Sequence, residues 1–172
     1  LAFVPRPVAA LILLFPVTAE YEAARVEEDK TILAAPAYSP PPAWFTAQTV
    51  GNACGTVAAL HALAAARADG AVGEFEGGSF LARFFDATAA MTPQQRAAYL
   101  ENPPAGAPDI EVVEGGGWRR WGRRLPPTPT LFSGRHAAAG AVGDTAPPPA
   151  DARVDLHFVA LVHSQGRLTE LD

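Results

Sequence analysis

Cysteine is almost missing from this chain: Cys54 is the only one in 172 residues. That excludes an internal disulfide framework and a zinc site built from cysteines. It also points to a reducing compartment, and it leaves one thiol to account for. Lysine is nearly missing too, since Lys30 is the only one among 13 basic residues. Against 18 acidic residues the formal net charge is -5, which does not fit a basic nucleic-acid binder. Long apolar runs are also absent. The best, Val8 to Phe15, is too short to cross a bilayer. Pro5, Pro7 and Pro16 bracket it, so it reads as a buried strand rather than the core of a signal peptide. The chain starts without Met, close to this run, and is expected to be a fragment that begins inside a domain. What is plentiful is apolar matter: 49% hydrophobic residues, enough to fill one core, punctuated by 15 Gly and 17 Pro.

Further elements follow from local signals. Glu20 to Asp29 is a charge run and reads as a solvated face. Ala34 to Pro42 is a Pro/Ala loop, and Trp44-Phe45-Thr46 has short-strand character. Asn52 is a suitable cap for an alanine-rich helix over Cys54 to Ala68. A second helix starts near Ser79, with Leu81, Phe84 and Phe85 on one core-facing stripe. A third starts at Thr92-Pro93, with Gln95 at the capping-box position, and runs to about Glu101. Asn102 to Ala152 has little periodicity and much Pro and Gly. Val154 to His163 is apolar on both faces and reads as a central strand. Ser164-Gln165-Gly166 turns the chain into a partner strand over Leu168 to Leu171.

Cys54 falls in the first turn of its helix, where free N–H groups and the helix dipole favour a thiolate. A lone cysteine is as often an inert core residue, so position alone leaves both readings open. A thiol nucleophile needs a base. His61 lies roughly 10 Å along the helix from Cys54, too far, and reads as packing or as solvent-exposed. His136 sits in the irregular segment and is a weak candidate. His157 and His163 share a strand face but stand about 20 Å apart, so at most one serves. The turn at 164–166 places His157 opposite or diagonal to Asp172, within reach of its carboxylate. Asp172 can then fix the tautomer of His157 and leave the other ring nitrogen for a thiol. His163, beside the turn, has no such partner in this reading. Gln48, just upstream of the helix, could supply a second oxyanion donor beside the Cys54 N–H, though a glutamine there is weak evidence by itself.

Taken together these segments resemble a known family. Gln48-Thr49-Val50-Gly51-Asn52-Ala53-Cys54-Gly55-Thr56 is similar to the active-site motif of the ubiquitin carboxyl-terminal hydrolases. Leu156-His157-Phe158-Val159-Ala160-Leu161-Val162 and Glu170-Leu171-Asp172 resemble their histidine and aspartate motifs. Val4 to Val8, Leu13 to Pro16 and Tyr99 to Asn102 match further segments, in order. The resemblance implies an α/β (α+β) papain-like fold, a central antiparallel sheet flanked by helices. It implies a single catalytic domain over 1–172, truncated at both ends, with 102–152 as a crossover loop or insert longer than usual. It implies Cys54 as nucleophile, His157 as general base and proton donor, Asp172 as its orienting acid and Gln48 as oxyanion donor, with no metal or cofactor. Ubiquitin is the implied substrate, its basic face suited to the cluster Glu20, Glu22, Glu27, Glu28 and Asp29. A cytoplasmic monomer, with nuclear residence as a second site, is expected, with neither membrane nor nucleic acid as partner.

Two other readings remain open. One is a catalytically silent ubiquitin-binding module. The other is an interaction domain working through Trp118-Arg119-Arg120-Trp121-Gly122-Arg123-Arg124, a basic-aromatic patch suited to RNA, an acidic partner or a membrane surface.

Overall fold

The computed structural model describes residues 3–4, 6–35, 43–49, 53–104 and 155–172. The Asn52 cap, most of the Pro/Ala loop, His136, the basic-Trp patch and nearly all of the expected crossover loop lie outside the described residues. The chain divides into two compact units.

The first unit carries the sheet. β1 (Ala10–Pro16), β2 (Leu156–Ser164) and β3 (Arg167–Leu171) form an antiparallel sheet in that order, so β2 is central. Its Val159, Ala160 and Val162 are fully buried, which explains why this strand lacks polar alternation. β1 pairs with β2 from Ala10 opposite Val162 to Pro16 opposite Leu156. β3 pairs from Ala160 opposite Leu171 to Ser164 opposite Arg167. The two-residue turn needs positive φ at both central positions, met by Gln165 at 51° and Gly166 at 79°. Continuing this register by one residue puts Asp172 across from Val159, on the same sheet face as His157 and diagonal to it.

The strand predicted at Val8 to Phe15 forms, two residues later at its start, but it is not buried. Leu11, Ile12, Leu13 and Leu14 are each between 42% and 45% exposed, so neither face of this edge strand is fully covered by the described residues. α2 (Cys54–Ala68) lies against β2 and β1. It buries Val57, Ala58, Leu60, His61, Ala62, Ala64 and Ala66, nearly a full helix surface of small side chains. His61 is thus a packed residue, edge-on to Trp44 with ring centroids 6.1 Å apart. The acidic run Glu20 to Asp29 is part of a helix, α1 (Ala19–Ala34), capped by Thr18, whose Oγ1 accepts from the Tyr21 N–H at 3.2 Å. α1 buries no residue.

The second unit holds α3 (Phe80–Thr88) and α4 (Pro93–Glu101). Ser79 caps α3, accepting from the Ala82 N–H at 3.2 Å. Phe84 and Phe85 of the predicted stripe are buried, and Phe84 stacks on Phe80 at 5.4 Å. At α4 both halves of the capping box form, Gln95 N–H to Thr92 Oγ1 at 3.2 Å and Thr92 N–H to Gln95 Oε1 at 2.8 Å. Trp44-Phe45-Thr46 is not a strand. The chain here meets α4 rather than a ladder partner: the Phe45 carbonyl accepts from Arg96 at 2.9 Å, and just beyond the segment the Ala47 N–H donates to the Pro93 carbonyl at 3.4 Å.

Arg96 is the polar centre of this unit. It is buried and donates to the carbonyls of Phe45, Thr88 and Ala89, each at 2.9 Å. Burial lowers its pKa from the ordinary arginine value, yet three carbonyls around the guanidinium stand in for the lost water. Arg96→Ala strips three carbonyls of a charged donor and should cost about 3 kcal/mol or more of stability. Arg96→Lys should recover little, since an ammonium cannot fork to the same three acceptors. Urea unfolding of the full-length protein checks both.

Candidate active site

Three of the four residues singled out by sequence lie in the first unit: Cys54, His157 and Asp172. α2 starts at Cys54, which is partly buried and free of disulfide. The helix approaches the sheet closely there. A Cβ on Gly55 would stand 3.3 Å from Phe158 Cδ2, so only a glycine lets the first turn settle on that ring without displacing it. Cys54 therefore opens its helix beside the strand residue that follows His157.

His157 and Asp172 meet. Nε2 of His157 contacts Oδ1 of Asp172, with both side chains about one-quarter exposed. A proton on Nε2 donates to the carboxylate, which sets the tautomer and leaves Nδ1 unprotonated. Among the described residues Nδ1 has no hydrogen-bond partner, and neither has Cys54 Sγ. The thiol and the imidazole are thus not hydrogen-bonded to each other, as is common where such pairs tighten only around a substrate. Phe15, directly opposite His157 in the β1–β2 ladder, presents its ring edge-on to the imidazole at 6.0 Å and 87°.

Gln48 is exposed and belongs to the second unit, on the extended segment 43–49. His163 does have a carboxylate partner, contrary to expectation: its Nδ1 lies 2.9 Å from Oδ1 of Asp69. Asp69 follows the last residue of α2, and hairpin arithmetic has no view of a residue supplied by a different element. One residue at the site was missed outright. Arg25, on α1, contacts Oδ2 of Asp172 through Nη1, the carboxylate oxygen that His157 does not use.

No group of three or more His, Cys, Asp and Glu side chains is placed to hold a metal ion among the described residues. Nor is any described helix long and apolar enough to cross a membrane.

Beside this geometry stands a comparison of the whole sequence with known proteins. The pattern of ubiquitin carboxyl-terminal hydrolase, family 1, matches residues 1–172. The chain belongs to this family. It is 36% identical over 172 residues to ubiquitin carboxyl-terminal hydrolase 3 of Arabidopsis thaliana, a match covering all of this chain and 59% of that protein. It is 35% identical over 172 residues to the ubiquitin carboxyl-terminal hydrolase of Aplysia californica, covering 100% of the chain and 64% of the relative. With the human ubiquitin carboxyl-terminal hydrolase isozyme L1 the identity is 31% over 172 residues, covering 100% and 62%. The chain thus spans 59% to 64% of the length of these relatives. The α+β arrangement of helices around an antiparallel sheet is the papain-like architecture expected of a member of this hydrolase family.

Proposed function

We propose that the protein is a cysteine-type deubiquitinase, hydrolysing ester, thioester, amide or isopeptide bonds at the C-terminal glycine of ubiquitin. The observation that carries this reading is the His157–Asp172 pair on the hairpin packed under the helix that Cys54 begins. The family membership and the names of the relatives support the substrate class.

In this reading Cys54 is the nucleophile. Nδ1 of His157 takes its proton, and Asp172 on Nε2 stabilises the imidazolium that results. The thiolate attacks the glycine carbonyl. The developing oxyanion is held by the Cys54 N–H and the Gln48 side chain, the latter assigned by motif alone. The imidazolium protonates the leaving amine or alcohol, and water, deprotonated by the same imidazole, hydrolyses the thioester. The exposed carboxylates Glu20, Glu22, Glu27, Glu28 and Asp29 along α1 suit the basic side of ubiquitin and speed encounter more than they tighten it. A monomer working in the cytoplasm or nucleus fits a chemistry that needs a reduced thiol.

The test is turnover of ubiquitin carrying a fluorescent amine on its C-terminal glycine by the full-length protein. One equivalent of alkylating agent on Cys54 should abolish it. Turnover that survives full alkylation of Cys54 would contradict the reading. Asp172→Asn should lower kcat by about a hundredfold or more without unfolding the protein, because an amide can present its N–H to Nε2 and favour the wrong tautomer. Matched kinetics and thermal melts check this.

A further inference from the structure

α1 has an unusual standing in the first unit. It buries no residue, so its position is not explained by a core of its own. What it does bring is Tyr21 and Arg25, one helical turn apart on one face. Nη1 of Arg25 donates to the Tyr21 hydroxyl at 3.1 Å and to Oδ2 of Asp172, with Oε1 of Glu170 at 3.5 Å. Its carbon Cζ also stands 5.8 Å from the centre of the Tyr21 ring. The guanidinium is held well above the ordinary arginine range, first by the Tyr21 hydrogen bond and then by Asp172. The Tyr21 ring in turn meets Phe15 edge-on at 4.8 Å, and Phe15 meets the His157 ring.

Two routes therefore run from α1 to the imidazole. The polar one is Tyr21, Arg25, Asp172, His157. The apolar one is Tyr21, Phe15, His157. Asp172 follows the last ladder residue of β3. A carboxylate is fixed in orientation most fully when both of its oxygens are engaged. His157 engages one and Arg25 the other.

We propose that Arg25 is a positioning residue for the His157–Asp172 pair, its guanidinium holding one carboxylate oxygen so that the other stays on Nε2 of His157. This rests on the deubiquitinase reading only for its effect on rate; the clamp itself is a statement about His157 and Asp172. Arg25 acts through Asp172, and the Tyr21 hydroxyl helps hold the guanidinium there.

The experiment compares wild type, Arg25→Met, Arg25→Lys and Tyr21→Phe in the full-length protein. Two quantities are read: kcat and KM on ubiquitin carrying a C-terminal fluorescent amine, and the nuclear magnetic resonance signal of the His157 Nε2–H. Outer-shell partners that orient metal-bound histidines are worth roughly 10- to 100-fold, and on that scale Arg25→Met should lower kcat about tenfold with KM within about twofold. Its Nε2–H signal should weaken or broaden, as the carboxylate no longer shields that proton from exchange. Arg25→Lys should restore part of the signal and bring the kcat loss to about threefold, since it keeps the charge but carries it on a shorter side chain with a more strongly hydrated head. A merely structural role would change the melting temperature and leave the Nε2–H signal of the folded protein intact. That result, or wild-type kcat in Arg25→Met, would overturn the proposal. Should Arg25→Met fail to fold, Tyr21→Phe decides by the same readouts, and an unchanged signal with unchanged kcat there would overturn it. An inactive wild type whose Nε2–H signal still depends on Arg25 would sink the deubiquitinase reading and leave the clamp standing.

Discussion

Cys54→Ala should abolish turnover, a loss on the order of 10⁵ or more in kcat, while ubiquitin still binds with a Kd within about threefold of wild type. The sizes of the two effects differ because the thiol does two separable things. It supplies the only nucleophilic sulfur in the chain, for which no neighbour can substitute. It also occupies a partly buried place at the start of α2, and alanine fills most of that place. Alanine is a good helix former, and the backbone N–H groups of the first turn remain where they are. Binding energy comes from the substrate's wider contacts, which one sulfur atom hardly touches. Steady-state kinetics and calorimetry on the same preparation separate the two. Turnover within a hundredfold of wild type would remove Cys54 from the chemistry. Loss of binding together with turnover would mean that the site had collapsed.

The second large effect separates two histidines on one strand. His157→Ala should lose on the order of 10⁴ in kcat, and His163→Ala should stay within about twofold of wild type. Having a carboxylate partner no longer distinguishes them, because His163 is paired with Asp69. Position along α2 does. Asp69 lies just past the C-terminal end of that helix, while Gly55, next to Cys54, sits against Phe158 at its start. A helix of 15 residues is about 22 Å long, so His163 is held at the end remote from the thiol. The pairing of His163 is a surface contact with both side chains well exposed, and its removal should cost less than about 1 kcal/mol. Equal losses in the two variants would show that the helix start and the His157 end of β2 do not work together.

What could be read in the sequence was what short-range chemistry encodes. α2 spans the residues its alanine run marks, and α3 and α4 start at the caps that Ser79 and Thr92 provide. The hairpin register came out one residue from the expected one, since a two-residue turn constrains everything that follows it. That was enough to bring His157 and Asp172 together on paper. α1 was read as a charged face with no helix, because a helix that buries nothing has no apolar period to find; the Thr18 cap was the one available sign. Trp44 to Thr46 was read as a strand from its side chains, whereas Arg96, fifty-one residues after Phe45, decides where that backbone bonds. Arg25 was missed for the same reason on a larger scale. Its partner lies 147 residues away, and nothing near Arg25 marks it as different from any other helical arginine.

The central claim is that Cys54, and no other nucleophile, attacks the carbonyl at the ubiquitin C-terminus. It is tested most directly by mixing the full-length protein with ubiquitin whose C-terminal glycine is replaced by a thiol-reactive electrophile, then locating the adduct by peptide mass spectrometry. The account predicts one ubiquitin per chain, attached through a thioether to Cys54. It predicts much slower labelling in His157→Ala and none in Cys54→Ala. An adduct on another residue, or labelling of Cys54 at the same rate with and without His157, would contradict it.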